Sequence, residues 1–163
     1  MLVGGIKVKN PFVKMSEDGY SFIDSNCSLN KLVIAKVPVS GIDDTIQGKS
    51  VSEIFSTSVI TKEVANRLEQ LKIPQSTPKE KLPFLLLDAM NSSDGKVNNI
   101  AAEIARKFGA RLGLILLTLK TALKENRNAR PDWDDRHWEY WQGIQTIIAV
   151  GGLTQGKFGI ELI

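Results

Sequence analysis

The sequence predicts an α/β chain: an N-terminal β-hairpin region, then a helix-rich half that ends in a strand, a glycine loop and the start of a helix. Three observations predict it. Up to about residue 48, apolar and charged side chains alternate, as in "IKVKNPFVKM" and "YSFID". From Ser50 onward the apolar period lengthens to that of a helix. The final stretch, "IIAVGGLTQGKFGIELI" from Ile147 to Ile163, reads as an apolar run, a glycine turn and a helix start. These divide the chain into an extended β region, 1–48, and a helical and α/β region, 49–163, within one compact domain.

The first strand carries Ile6, Lys7, Val8 and Lys9, then Phe12 and Val13; "SEDG" is a turn signal and "YSFID" returns as the second strand. "KLVIAKVPV" has the composition of a third strand, placed at an edge by Pro38. "SGIDDTIQG" reads as a loop, and the Asp43-Asp44 dipeptide has its ordinary home in a turn. Ser50-Val51-Ser52-Glu53 matches a capping box. Thr61 is placed to cap the next helix, in which Val64, Ala65, Leu68 and Leu71 recur until Pro74. Thr77-Pro78-Lys79-Glu80 offers a cap, a proline at the first helical position and a glutamate at the third. That helix carries "LPFLLLDAM", with Asp88 phased toward the surface, and stops at "NSSDG".

The longest helix is expected over residues 97–126, with Ile100, Ile104, Phe108, Leu112, Ile115 and Leu119 as its spine. Its second half, "LGLILLTL", is apolar nearly all round and should be buried. Gly109 and Gly113, four residues apart, permit close approach of another element. "RNARPDWDDRHWEYWQG" is a polar connection in which the spacing of Trp138 and Trp141 suits a short helix. "TIIAV" then reads as a buried strand and "GGL" as the turn leaving it.

Composition narrows the function. The chain has 163 residues and 42% hydrophobic content, enough for a packed core. Its 21 basic and 18 acidic residues give a net charge of +3 without a long basic block, which argues against nucleic acid and anionic membrane as partners. The single cysteine, Cys27, excludes an internal disulfide and a cysteine-cluster metal site, and it fits a cytoplasmic protein. The N-terminus is too quickly charged for a signal peptide. The best membrane candidate, "LGLILLTLKTAL", is too short and contains Lys120.

The order of the "SSDGK" turn, the long helix with "AAEIARKFGARLGLILLTL" and the strand "IIAVGGL" resembles the C-terminal lobe of ROK-type sugar kinases, within the actin-like ATPase superfamily. The likeness covers about residues 77–160. It implies an adenosine loop at Gly151, Gly152 and Leu153, with Gly156 as a further loop or helix-start position, and it implies ATP with magnesium as ligand. Glycines there let the backbone approach a nucleotide, and a following helix N-terminus favours phosphate. The family's first loop glycine is Val150 here. Its Asp-x-Gly-x-Thr phosphate loop, its catalytic aspartate and its Cys/His zinc signature have no counterpart, so no catalytic residue and no metal site is assigned. The resemblance therefore implies a ROK-like nucleotide- or sugar-binding domain that is truncated or lacks phosphoryl transfer, either alone or completed by a second chain.

A second reading comes from the tryptophan segment. Trp133, Trp138 and Trp141 offer flat faces for a ligand or for a subunit contact in a homo-oligomer, which would make the chain a non-enzymatic interaction or regulatory module. His137, among Asp132, Asp134, Asp135 and Glu139, is placed either as a metal ligand or base, or within a solvated loop.

Overall fold

A computed structural model describes residues 9–150, 154 and 156–163. It is mainly helical, with one two-stranded antiparallel sheet. The strands are β1 (Val13–Met15) and β2 (Ser21–Ile23), in the register Val13↔Ile23, Lys14↔Phe22 and Met15↔Ser21. Gly19, at φ +80°, supplies the left-handed turn position between them. The hairpin residues are exposed on both faces, so its anchor is Phe12, only 3% exposed. The expected first-strand residues Ile6, Lys7 and Val8 lie outside the described residues.

The expected third strand does not form. Leu32 and Ile34 are fully buried, but this segment makes a single isolated bridge, Val33 to Ser50. Ile34 N–H donates to the Lys49 carbonyl and Val51 N–H to the Leu32 carbonyl, and there the facing segment turns into α1 (Val51–Ile54). A ladder cannot extend along a neighbour that has become helical. The Glu53 arm of the expected capping box is formed: its carboxylate accepts from the Ser50 N–H at 2.8 Å and from the Ser50 hydroxyl at 2.6 Å.

Helix α2 (Thr57–Ala65) starts a turn earlier than the sequence suggests, with Ser56 as its N-cap. Thr61 is interior and returns its hydroxyl proton to the Thr57 carbonyl. Leu68, Leu71 and Ile73 are buried from the irregular turns that follow. The start signal at Thr77 to Glu80 leads into a 3-10 turn at Lys79–Lys81, and α3 (Leu82–Ala89) begins after it with Pro83 in its first turn. Asp88 is exposed.

Helix α4 (Gly95–Thr121) is 27 residues long, about 40 Å at the usual rise. Asp94 caps it by accepting from Lys96 N–H and Val97 N–H. It ends five residues short of the expected Asn126, because Ala122 takes a left-handed conformation (φ 44°) and breaks the helical path. Two short helices follow, α5 (Lys124–Asn128) and α6 (Asp135–Gly143), and the last is α7 (Gly156–Leu162).

Two apolar clusters share α4 as their spine. The first joins α2, α3, α7 and the first half of α4, centred on Leu86, Ile104 and Phe108. The second gathers Phe12, Leu32, Ile34 and Ile46 onto Leu114, Ile115 and Leu119 of α4, with Trp133 and Trp138. Phe55 touches both clusters. The extended first region and the second half of α4 thus share one core.

The two glycines of α4 part company. A Cβ on Gly109 would lie well under 3.0 Å from the carbonyl oxygen of Leu162, so glycine is what lets α7 seat its backbone on α4. Gly113 faces open space.

The buried strand expected at Thr146 to Val150 is not present. This stretch is irregular and exposed, with Ile147 at 52% and Ile148 and Val150 each at 81%. Its β-branched residues have no neighbouring strand among the described residues to pair with.

Candidate functional site

Two regions carry the expected ligand residues. In the C-terminal one, Gly151, Gly152 and Leu153 lie outside the described residues. Gly156 is the exposed first residue of α7, with φ +61°, a conformation that favours glycine. The helix that the sequence reads after the glycine turn is therefore formed, and Phe158 and Leu162 bury one face of it in the first core cluster.

In the second region the structure brings Trp133, His137, Trp138 and Trp141 together around Phe12. Phe12 lies edge-on to Trp133 at 5.4 Å and to His137 at 4.9 Å, and Trp133 meets Trp138 edge-on at 5.2 Å. Trp133 and Trp138 are buried, so the flat faces that suggested ligand stacking are occupied by the protein's own rings. Trp141 is half-buried.

Arg130 clamps this cluster to the N-terminal region. It is only 2% exposed, its guanidinium sits 4.6 Å from the Trp133 ring, and Nη2 donates to the carbonyls of Asn26 and Ser28. Trp133 Nε1 donates to the same Asn26 carbonyl at 2.8 Å. Asp132 approaches Arg130 Nε at 2.9 Å, close enough for an ion pair but not aligned as a hydrogen bond.

His137 belongs to the cap of α6. Its Nδ1 lies 2.7 Å from Asp134 Oδ1 and 3.1 Å from the Asp134 backbone N, while Asp134 accepts from the N–H groups of Arg136 and His137. The Arg136 side chain, against the opposing effect of burial and with a lesser contribution from His137, holds the Asp134 carboxyl far below the usual carboxylate range. An imidazole tied to its own helix cap orients α6. Among the described residues, no group of three or more His, Cys, Asp or Glu side chains is arranged to hold a metal ion. No described helix is long and apolar enough to cross a membrane. Cys27 is half-buried against the second cluster.

The structure also assembles a pair that the sequence did not single out as a unit. Arg111 projects from α4 in the phase of the buried stripe, and its Nε donates to Asp43 Oδ2 at 2.9 Å. Asp43 caps the 3-10 turn Asp44–Ile46 through Thr45. Burial pushes the Asp43 carboxyl up, but hydrogen bonds from Thr45 and Arg111 outweigh it and leave the group below its ordinary value. A sequence signal existed: a cation three residues after Phe108 on an otherwise apolar face needs a partner.

Compared with protein-family models, with curated protein sequences and with solved structures, the chain matches none.

Proposed function

We propose that the chain is a ROK-like nucleotide- or sugar-binding lobe that carries no phosphoryl-transfer chemistry of its own. The observation that supports it is the seating of α7 on α4. The long glycine-bearing helix and the helix that follows Gly151-Gly152 in sequence meet at Gly109 and Leu162, with the apolar stretch Thr146–Val150 also between them in sequence. ATP with magnesium is the ligand that the resemblance implies, and the chain's share is a close backbone approach. The sequence holds neither the phosphate loop nor the catalytic aspartate of the family, which is why transfer is not assigned.

Thermal melting of the full chain with Mg-ATP, ADP and hexoses tests this reading. A ligand at a hundred times its Kd stabilises the folded state by about 2.7 kcal/mol, which moves a melting temperature by several degrees. A saturable shift that Gly152→Val abolishes supports the lobe. A flat response at millimolar nucleotide and sugar removes it.

A second reading, an oligomeric interaction module without a small ligand, is favoured by one observation. Ile147, Ile148 and Val150 stand in solvent, and so do Ile160 and Ile163 at 79% and 85%. The contact then runs through the C-terminal isoleucines instead of the tryptophans. Sedimentation of the chain against Ile148→Lys separates the two surfaces, with Trp141→Ala as the comparison: self-association lost only in the first variant supports the isoleucine surface.

A further inference from the structure

The strongest unassigned feature is a cleft of about 590 Å³ between α1, α2 and the middle of α4. Arg111 lines it, with a side chain nine-tenths buried. Its Nε–H is committed to Asp43 and Nη1 to the Ile54 carbonyl at 3.1 Å, and its guanidinium carbon lies 5.6 Å from the Phe108 ring centre. Nη2 makes no hydrogen bond to any described residue, yet it is not sealed among the buried orphan atoms. A guanidinium fixed by these two bonds therefore lines the cleft with part of its hydrogen-bonding capacity uncommitted.

The rest of the lining suits an anion. Lys49 and Lys62 are exposed and form no salt bridge among the described residues, and Ser52, Ser58 and Asn66 add hydrogen-bonding groups. The two carboxylates on the rim are already engaged. Glu53 accepts from Ser50, and Glu63 is paired with Lys107 at 2.9 Å and Arg67 at 3.3 Å. Three cations thus line the cleft, and the carboxylates near them, Glu53, Glu63 and the Asp43 that pairs with Arg111, are each already engaged.

We propose that this cleft binds a small phosphate ester, with Arg111 Nη2 and the ammonium groups of Lys49 and Lys62 on the phosphoryl oxygens and the serines and Asn66 on neighbouring hydroxyls. A dianion fits three cations that line one cleft better than a single carboxylate does, and the volume lies in the range of small-molecule sites. The inference stands on α1, α2 and α4 and does not rest on the nucleotide reading of the C-terminal loop.

The test is an amide-resolved NMR titration of the full chain at low ionic strength with glycerol 3-phosphate, inorganic phosphate and succinate. Saturable shifts at Ser52, Ser58 and Lys62, strongest with glycerol 3-phosphate, are expected. The double variant Lys49→Ala/Lys62→Ala changes only exposed side chains and should weaken binding by about tenfold or more, equivalent to about 1.4 kcal/mol or more. Arg111→Lys keeps a charge beside Asp43 but loses the fork and should weaken it further; where that variant does not fold, the lysine pair decides. Absence of saturation, shifts confined to other residues, indifference to the lysine pair, or succinate binding as tightly as the phosphates each overturns the proposal.

Discussion

The side-chain amide of Asn126 holds both backbone polar groups of Lys36: Oδ1 accepts from Lys36 N–H at 2.8 Å and Nδ2 donates to the Lys36 carbonyl at 2.9 Å. Asn126 is fully buried, so the amide stands in for the neighbouring strand that this segment lacks. We predict that Asn126→Leu destabilises the fold by roughly 1–3 kcal/mol for each group left unsatisfied. Lys36→Ala, which removes only an exposed ion pair with Glu125, should cost about 0–1 kcal/mol. Urea unfolding measures both. An Asn126→Leu midpoint equal to that of the parent would mean the amide bridge is dispensable.

The two glycines of α4 make a paired prediction. Gly109→Ala drives a methyl into the Leu162 carbonyl and should cost about 1–3 kcal/mol, as overpacking does. It should also loosen α7, seen as faster proteolysis near Phe158. Gly113→Ala meets nothing, and it should stabilise the helix by up to about 1 kcal/mol. Opposite signs in melting temperature are the expected result, and equal effects would remove the seating of α7 on α4.

How far the fold could be read in the sequence follows from where its signals are local. The hairpin turn at Gly19 and the Ser50/Glu53 box are short-range chemistry, and each forms in the structure. The end of α4 was not legible, because Ala122 in a left-handed conformation carries no glycine or proline signal. Thr61 misled because a β-branched hydroxyl residue suits either a cap or a mid-helix bond to its own preceding turn. Composition placed the tryptophans at a ligand or an interface. That Phe12 and Arg130 would close over them depends on contacts more than a hundred residues apart, which no periodicity records.

The cap of α4 predicts a pH dependence. The Lys72 ammonium, 2.5 Å away, together with the N–H groups of Lys96 and Val97, holds the Asp94 carboxyl below its ordinary value of 3.8. A carboxyl depressed in the folded state binds fewer protons there than when unfolded. Its contribution is fully present above the unfolded value and fades as pH falls through the folded one. Asp94→Asn should therefore melt below the parent at about pH 6, with the gap narrowing toward about pH 3. Lys72→Met removes the largest cause and should shrink the gap at about pH 6. A gap that does not change with pH would show that the carboxylate charge plays no part in the cap.

The C-terminal apolar stretch separates two physical situations that its sequence alone does not. If Ile147 and Ile148 were packed on both faces of a strand, as "TIIAV" suggests by composition, replacing either with lysine would bury an unpaired charge and cost several kcal/mol. With Ile147 half exposed and Ile148 at 81%, the cost to the isolated chain should stay within about 0.5 kcal/mol, as at other open surface positions. Ile148→Lys should also make the protein more soluble, since it breaks an uncharged β-branched run of the kind that pairs edge to edge. Melting temperature and sedimentation of Ile147→Lys and Ile148→Lys, measured over a tenfold range of concentration, read both effects together. Unchanged melting with reduced association fits a surface that meets another polypeptide. A drop of many degrees at every concentration would place these isoleucines inside the fold.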